Sequence, residues 1–187
     1  LVNSLAAWSE FKSDLIVIDF GTAITFDCVT RNCEYIGGTI LPGVAISLEA
    51  LSTRAAKLPH IDISTPPSEV IGKNTVDAMK SGVLFGYGAM IDGLVTLLGN
   101  SFSDNRDDVL AIATGGMAGL FMPYAKKVNH VDQLLTLKGL YYIYQQKITA
   151  MIDEARINTL IVMIMQVPCC SGLLQMAKAS MEQAERK

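Results

Sequence analysis

The run Leu15-Ile16-Val17-Ile18-Asp19-Phe20-Gly21-Thr22-Ala23-Ile24-Thr25-Phe26-Asp27 constrains the fold more than any other part of the chain. Residues 14–19 read as a strand buried on both faces, because the apolar stretch is continuous up to the carboxylate. A glycine and a hydroxyl follow at once. Residues 22–29 then alternate, with Thr22, Ile24, Phe26 and Cys28 on one side. Such a turn can hold a cation at the carboxylate and let backbone N–H groups approach a phosphate closely. It points to phosphoryl transfer. The plainer reading of Asp-x-Gly-Thr is a β-turn in which the aspartate caps neighbouring amides.

The segments that follow set the organisation. Arg31-Asn32 is a turn, and residues 33–41 read as a third strand, completing an antiparallel meander. Pro42-Gly43 breaks the sheet. Helical spacing over 44–56 puts Val44, Leu48, Leu51 and Ala55 on one face. Residues 59–67 are an irregular excursion, and 75–98 form one long helix containing Gly82, Gly86, Gly88 and Gly93. Glycine costs helix stability, so these positions are expected to admit another backbone at close range. A polar loop over 101–108 leads to a strand at 109–114, a short helix at 117–124 and a further helix at 134–146. A short helix over 2–11 precedes them all. The result is an α/β chain: a mixed sheet with helices packed on it. After about residue 147 the character changes. Residues 148–158 are polar and helix-like, 159–167 form an apolar strand, Pro168-Cys169-Cys170-Ser171-Gly172 is a loop, and 173–186 an amphipathic helix.

Bulk properties narrow the function. The net charge of -3, with no basic block, argues against nucleic acid as a partner. Apolar runs near 15–18, 108–113 and 159–168 are too short to span a bilayer, so no membrane partner is expected. No signal-peptide pattern opens the chain. Four cysteines (Cys28, Cys33, Cys169, Cys170) do not make a secreted disulfide framework, and a cytoplasmic location follows as the expectation. His60 and His130 sit in loops without neighbouring ligands, and no metal-type Cys/His spacing occurs.

Three further motifs carry possible chemistry. Gly37-Gly38 inside a strand implies a bulge or a close approach. In Gly72-Lys73-Asn74-Thr75-Val76-Asp77, Asn74 or Thr75 can cap the following helix, and a helix N-terminus there would favour a carboxylate-bearing substrate at Thr75. No Gly-x-x-x-x-Gly-Lys-Ser/Thr pattern surrounds Lys73. Thr114-Gly115-Gly116 ends a buried strand and opens a helix, which suits the sugar or base of a nucleotide.

Seven ordered blocks together resemble the type III pantothenate kinases over residues 1–147: Leu1-Val2-Asn3, Asp19-Phe20-Gly21-Thr22-Ala23, Gly37 through Gly43, Leu51 through Pro59, Gly72 through Gly82, Thr114-Gly115-Gly116, and Leu135 through Leu140. The resemblance implies an actin-like ATPase fold of the ribonuclease H-like kind. Residues 1–147 would be the second of two related domains. It implies ATP-dependent phosphorylation of pantothenate to 4′-phosphopantothenate, the first step of coenzyme A synthesis. The cofactors would be ATP, Mg²⁺ and a monovalent cation, K⁺ or NH₄⁺, in a homodimer. Asp19 would bind the monovalent cation. Gly21 and Thr22 would contact ATP, with Gly115 and Gly116 near the adenosine, and Thr75 would contact pantothenate. The family's catalytic aspartate is expected before Leu1, so the chain is expected to be truncated and inactive alone. Ile24 stands where the family has a threonine, and Ser52 where histidine is common. The alternative is a non-catalytic nucleotide-binding or regulatory relative. Residues 148–187 do not match the family. Gln166 through Leu173 faintly resemble an end segment of ferredoxin-type proteins, without the cysteine run that a cluster needs.

Overall fold

The computed structural model describes residues 1–55, 57–103, 109–154 and 168–184. Contacts divide the chain into two units, one of them residues 3–135 with Leu1, the other residues 136–187 with Val2. The first unit holds helix α1 (Val2–Phe11), strands β1 (Asp14–Phe20), β2 (Ala23–Val29) and β3 (Tyr35–Pro42), and helices α2 (Val44–Arg54) and α3 (Thr75–Phe102). Strand β4 (Val109–Thr114), helix α4 (Ala118–Phe121) and strand β5 (His130–Val131) complete it. Helices α5 (Leu135–Asp153) and α6 (Pro168–Gln183) follow.

The sheet runs β3-β2-β1-β4-β5. The first three strands are an antiparallel meander, while β4 pairs parallel with β1, and β5 parallel with β4. The central place of β1 explains its sequence: a strand covered on both faces has no polar side to show. Ile16, Ile18 and Phe20 enter a core with Ile24 and Phe26 of β2, Leu84 and Ile91 of α3, and Phe121 of α4. Leu15, Val17 and Ile112, of opposite parity, are buried as well. Helix α1 is tied to the sheet at three points. Asn3 bonds to the end of β1, Trp8 Nε1 donates to the Arg31 carbonyl, and Phe11 stacks on His130 at 4.9 Å. It stops at Lys12, whose φ of 50° turns the chain out of the helix.

Several sequence expectations are corrected. Helix α3 extends to Phe102 rather than 98, since nothing in Gly99-Asn100-Ser101 blocks a helix already held by packing. Of the four glycines singled out in sequence only Gly88 is closely packed: a Cβ there would lie 2.5 Å from the Tyr124 carbonyl oxygen, while Gly82, Gly86 and Gly93 face open space. Leu51 is 40 % exposed, so α2 buries a narrower stripe than its spacing implied. Strand β3 starts at Tyr35, not at Cys33, whose φ of 65° belongs to the turn. The helix expected over 117–124 contracts to Ala118–Phe121. The loop expected at 168–172 is the first turn of α6, where proline's fixed φ suits the opening position of a helix. The strand expected over 159–167 lies outside the described residues, and so do the side chains of Cys169 and Cys170. Among the described residues, α3 is the one helix long and apolar enough to cross a membrane, by length and composition. Its Val83, Leu84, Ile91 and Val95 belong to the core of the sheet unit, while only 33 % of its most apolar window is buried.

In the second unit, α5 and α6 are joined by small polar groups. Ser180 Oγ donates to the Gln145 carbonyl at 3.0 Å, and both residues are buried. Ile152, Ala177 and Ala184 supply buried apolar surface.

Candidate functional site

Parallel pairing places Asp19 of β1 opposite Thr114 of β4. The carboxyl ends of the two strands therefore deliver two glycine turns to the same edge of the sheet, Gly21-Thr22 and Gly115-Gly116, where α/β sheets bind ligands. Gly115 has a φ of 94°, and a Cβ there would lie 2.7 Å from the Phe20 carbonyl oxygen and 2.8 Å from Asp19 Oδ1. Both facts require glycine. Gly43, at the start of α2, closes on the turn from another side. Its N–H donates to the Thr22 carbonyl at 3.1 Å, and a Cβ would strike the Thr22 backbone. The Gly21 N–H donates to the Ala23 carbonyl at 3.1 Å. The turn after β1 is thus gripped by glycines from β4 and from the β3–α2 junction.

Asp19 is half-buried. Its Oδ2 accepts a hydrogen bond from Asn3 Nδ2 at 3.0 Å. Its Oδ1 lies between the two turns, 3.8 Å from the Cβ position at Gly21 and 2.8 Å from that at Gly115. Thr22 and Gly116 are exposed, and no atom stands within 4 Å of a Cβ built on Gly116. Five of the residues picked from sequence (Asp19, Gly21, Thr22, Gly115 and Gly116) therefore converge. Thr75 is not tied to them by any hydrogen bond. It opens α3 with its side chain exposed, while Asn74 is the cap, its Oδ1 accepting from the Asp77 N–H at 2.9 Å. Lys73 pairs with Glu69 at 3.4 Å. Sequence reasoning assigned no role to Asn3. Its signals were its place in the Leu1-Val2-Asn3 block and an asparagine in the first turn of a helix, a residue type that favours caps over helical positions.

Among the described residues no group of three or more His, Cys, Asp or Glu could hold a metal. A single carboxylate fits a monovalent cation completed by backbone and ligand oxygens. It also fits Mg²⁺, which binds through one or two carboxylates plus substrate phosphates and water.

The opposite end of β1 is different in kind. Asp14 is buried; burial works against its charge, but the Arg31 guanidinium and N–H and the Ser103 hydroxyl outweigh it and hold the carboxyl below its ordinary value. Burial, helped by the Asp27 charge, pushes the Cys28 thiol up to about 11, so it stays protonated and unreactive. A groove of about 410 Å³ opens beside the amino end of β4, with Thr96, Asn100, Lys127 and Asn129 in its wall. Strand β4 separates it from the Gly115 turn, and it includes none of the converging residues.

An α/β domain with a carboxylate and two glycine turns at the ends of adjacent parallel strands is the class that fold and site define. Comparison gives the family. A family model described as type III pantothenate kinase matches residues 1–97, and the chain belongs to that family. A protein of Desulfotalea psychrophila called type III pantothenate kinase is 57 % identical over 143 residues, 76 % of this chain and 54 % of its own length. One of Citrifermentans bemidjiense with the same name is 46 % identical over 146 residues, 78 % of this chain and 56 % of its own. The chain spans about half the length of the curated relatives it matches. A crystal structure from Campylobacter jejuni, described as a Baf family transcriptional activator, superposes with a TM-score of 0.56 at 25 % identity, covering 78 % of this chain and 64 % of that one. Residues 140–187 match a different model, described as a Rossmann-like domain.

Proposed function

We propose that the chain is the nucleotide- and cation-binding part of an enzyme that phosphorylates pantothenate with ATP. The observation that carries this reading is the convergence of Asp19, Gly21-Thr22 and Gly115-Gly116 at one sheet edge in a member of this family. Phosphoryl transfer asks a protein mainly for positioning and charge neutralisation. The Gly21-Thr22 turn would offer backbone N–H groups and a hydroxyl to phosphates, and Gly115-Gly116 would leave room for the adenosine. Asp19 would hold K⁺ or NH₄⁺, whose charge offsets that of the phosphates; Mg²⁺ would arrive with the nucleotide. Exposed Thr75 would bond to pantothenate. The strand order, an antiparallel meander followed by parallel strands, supports an actin-like ATPase domain over residues 1–147. The separate match of residues 140–187 supports an appended unit there. The exposed stripe of Gly82, Gly86 and Gly93 beside Leu97, which is 67 % exposed, supports a homodimer contact along α3. A cytoplasmic location suits such an enzyme.

No proton acceptor for the substrate hydroxyl is assigned to this chain, because Asp19 is committed to Asn3 and the cation. Pantothenate-dependent ADP release by this chain alone, with ATP, Mg²⁺ and K⁺, is therefore expected to fall at least about 10²-fold below that of an intact kinase. ATP should nevertheless raise the melting temperature of the chain. Absence of any ATP-dependent rise would overturn the reading. A regulatory role is the second reading, favoured by the likeness to the Campylobacter jejuni protein described as a transcriptional activator. DNA binding without an ATP response would select it.

A further inference from the structure

The bond from Asn3 to Asp19 carries an inference that rests on the cation reading and deepens it. A carboxylate at a strand end can rotate about χ2, presenting either oxygen to a ligand. Here Asn3 Nδ2 occupies Oδ2 at 3.0 Å, and Oδ1 is the oxygen left between Gly21 and Gly115. Those two glycines lack the Cβ atoms that would fill the space around it. Asn3 lies in the first turn of α1, a helix with no acidic residue in that turn and no side-chain cap at its start. Its side chain is thus directed at a carboxylate from the positive end of a helix dipole. An amide is well chosen for the task. It donates to the carboxylate at every pH and brings no charge of its own, whereas a lysine there would compete with the bound cation.

We propose that Asn3 is a positioning residue for the monovalent cation: it fixes the Asp19 carboxylate so that Oδ1 faces the slot between Gly21 and Gly115. Losing it would leave the carboxylate in place but rotationally free, so the cation would bind more weakly without the sheet being undone.

The experiment is a titration of melting temperature with KCl, at constant ionic strength set by choline chloride and with Mg-ATP fixed. The unmodified chain should show a saturable rise that is absent in Asp19→Asn. Asn3→Leu, which keeps the volume and removes the donor, should need about tenfold more K⁺ for half the effect, the size of one hydrogen bond to a charged group. Its melting temperature without K⁺ should stay close to that of the unmodified chain. Asn3→Gln, which keeps the amide, should recover part of the shift, and Asn3→Ala replaces the leucine variant if that one does not fold. A K⁺ midpoint in Asn3→Leu or Asn3→Ala equal to the unmodified one overturns the role of Asn3 and leaves the cation at Asp19. A K⁺-insensitive unmodified chain overturns both.

Discussion

Strand β1 carries an aspartate at its first position and another one residue before its end, and the two are treated in opposite ways. Asp14 accepts from the Arg31 N–H at 2.8 Å, from Arg31 Nε and Nη2 at 3.2 and 2.8 Å, and from the Ser103 hydroxyl at 3.2 Å. Among the described residues Asp19 accepts one side-chain bond, from Asn3, and keeps its other oxygen beside Gly21 and Gly115. A carboxylate with donors of the protein on both oxygens, three of them on Oδ2, is a structural fastening. One left underfilled, beside a Gly115 backbone that admits no Cβ, has an oxygen able to accept a further partner. Residue type does not separate them; they differ in the end of the strand they occupy and in what meets them there.

Substitutions can break or sharpen that contrast. The largest effect is expected at Gly115, because alanine there must adopt a positive φ and also push into the Phe20 carbonyl. Gly115→Ala should cost about 3 kcal/mol in urea denaturation. Gly116→Ala, in open space one residue on, should stay within about 0.5 kcal/mol. Equal costs at the two positions would remove the case for a tightly built turn. Next comes the fastened end of β1. Arg31→Leu leaves Asp14 short of its charged donors and should cost about 2 kcal/mol at neutral pH. Because the folded Asp14 carboxyl sits below its ordinary value of 3.8, its contribution is complete above that value and fades as pH falls through the lower folded one. The unmodified protein should therefore lose stability on acidification through that range. The leucine variant should lose less, and parallel acid melts of the two would refute the assignment.

Smaller effects test the rest of the site. Gly86→Ala should stabilise α3 by up to about 1 kcal/mol in a monomer, through helix propensity alone. If the stripe is a subunit contact, the same change should instead weaken self-association in sedimentation. Smallest in stability is Thr22→Ala, expected to shift unfolding by less than about 0.5 kcal/mol, since the side chain is exposed. It should still weaken ATP binding several-fold in calorimetry, by about 1 kcal/mol for a lost hydroxyl bond.

Much of this was readable in the residues. Strands β1 and β2 declared themselves because one holds an unbroken apolar run from Leu15 to Ile18 and the other alternates. The Asp19, Gly21 and Gly115 turns did so because glycine after a buried strand has few other reasons to be there. What escaped had no local signal. Strand β5 is two residues long, His130–Val131, and exists only because β4 offers an edge. The fastening of Asp14 and the partner of Asp19 depend on Arg31, Ser103 and Asn3, which meet them only through the tertiary fold. The glycines of α3 misled for a related reason: Gly88 and Gly86 look alike in sequence, and only Tyr124 distinguishes them.

The parallel neighbours β1 and β4 also set an order of events during synthesis and folding. The meander of β1, β2 and β3 closes through short turns and can pair as soon as residue 42 is made. Asp19 meets Thr114 only after the whole of α2 and α3 has been threaded between them, a closure whose entropy makes such pairings slow. A nascent chain ending short of β4 would hold a paired hairpin sheet with its central strand still an open edge. In that interval the apolar residues Leu15 to Ile18 of β1, buried in the finished fold, lie along an open edge and are a natural site for a chaperone.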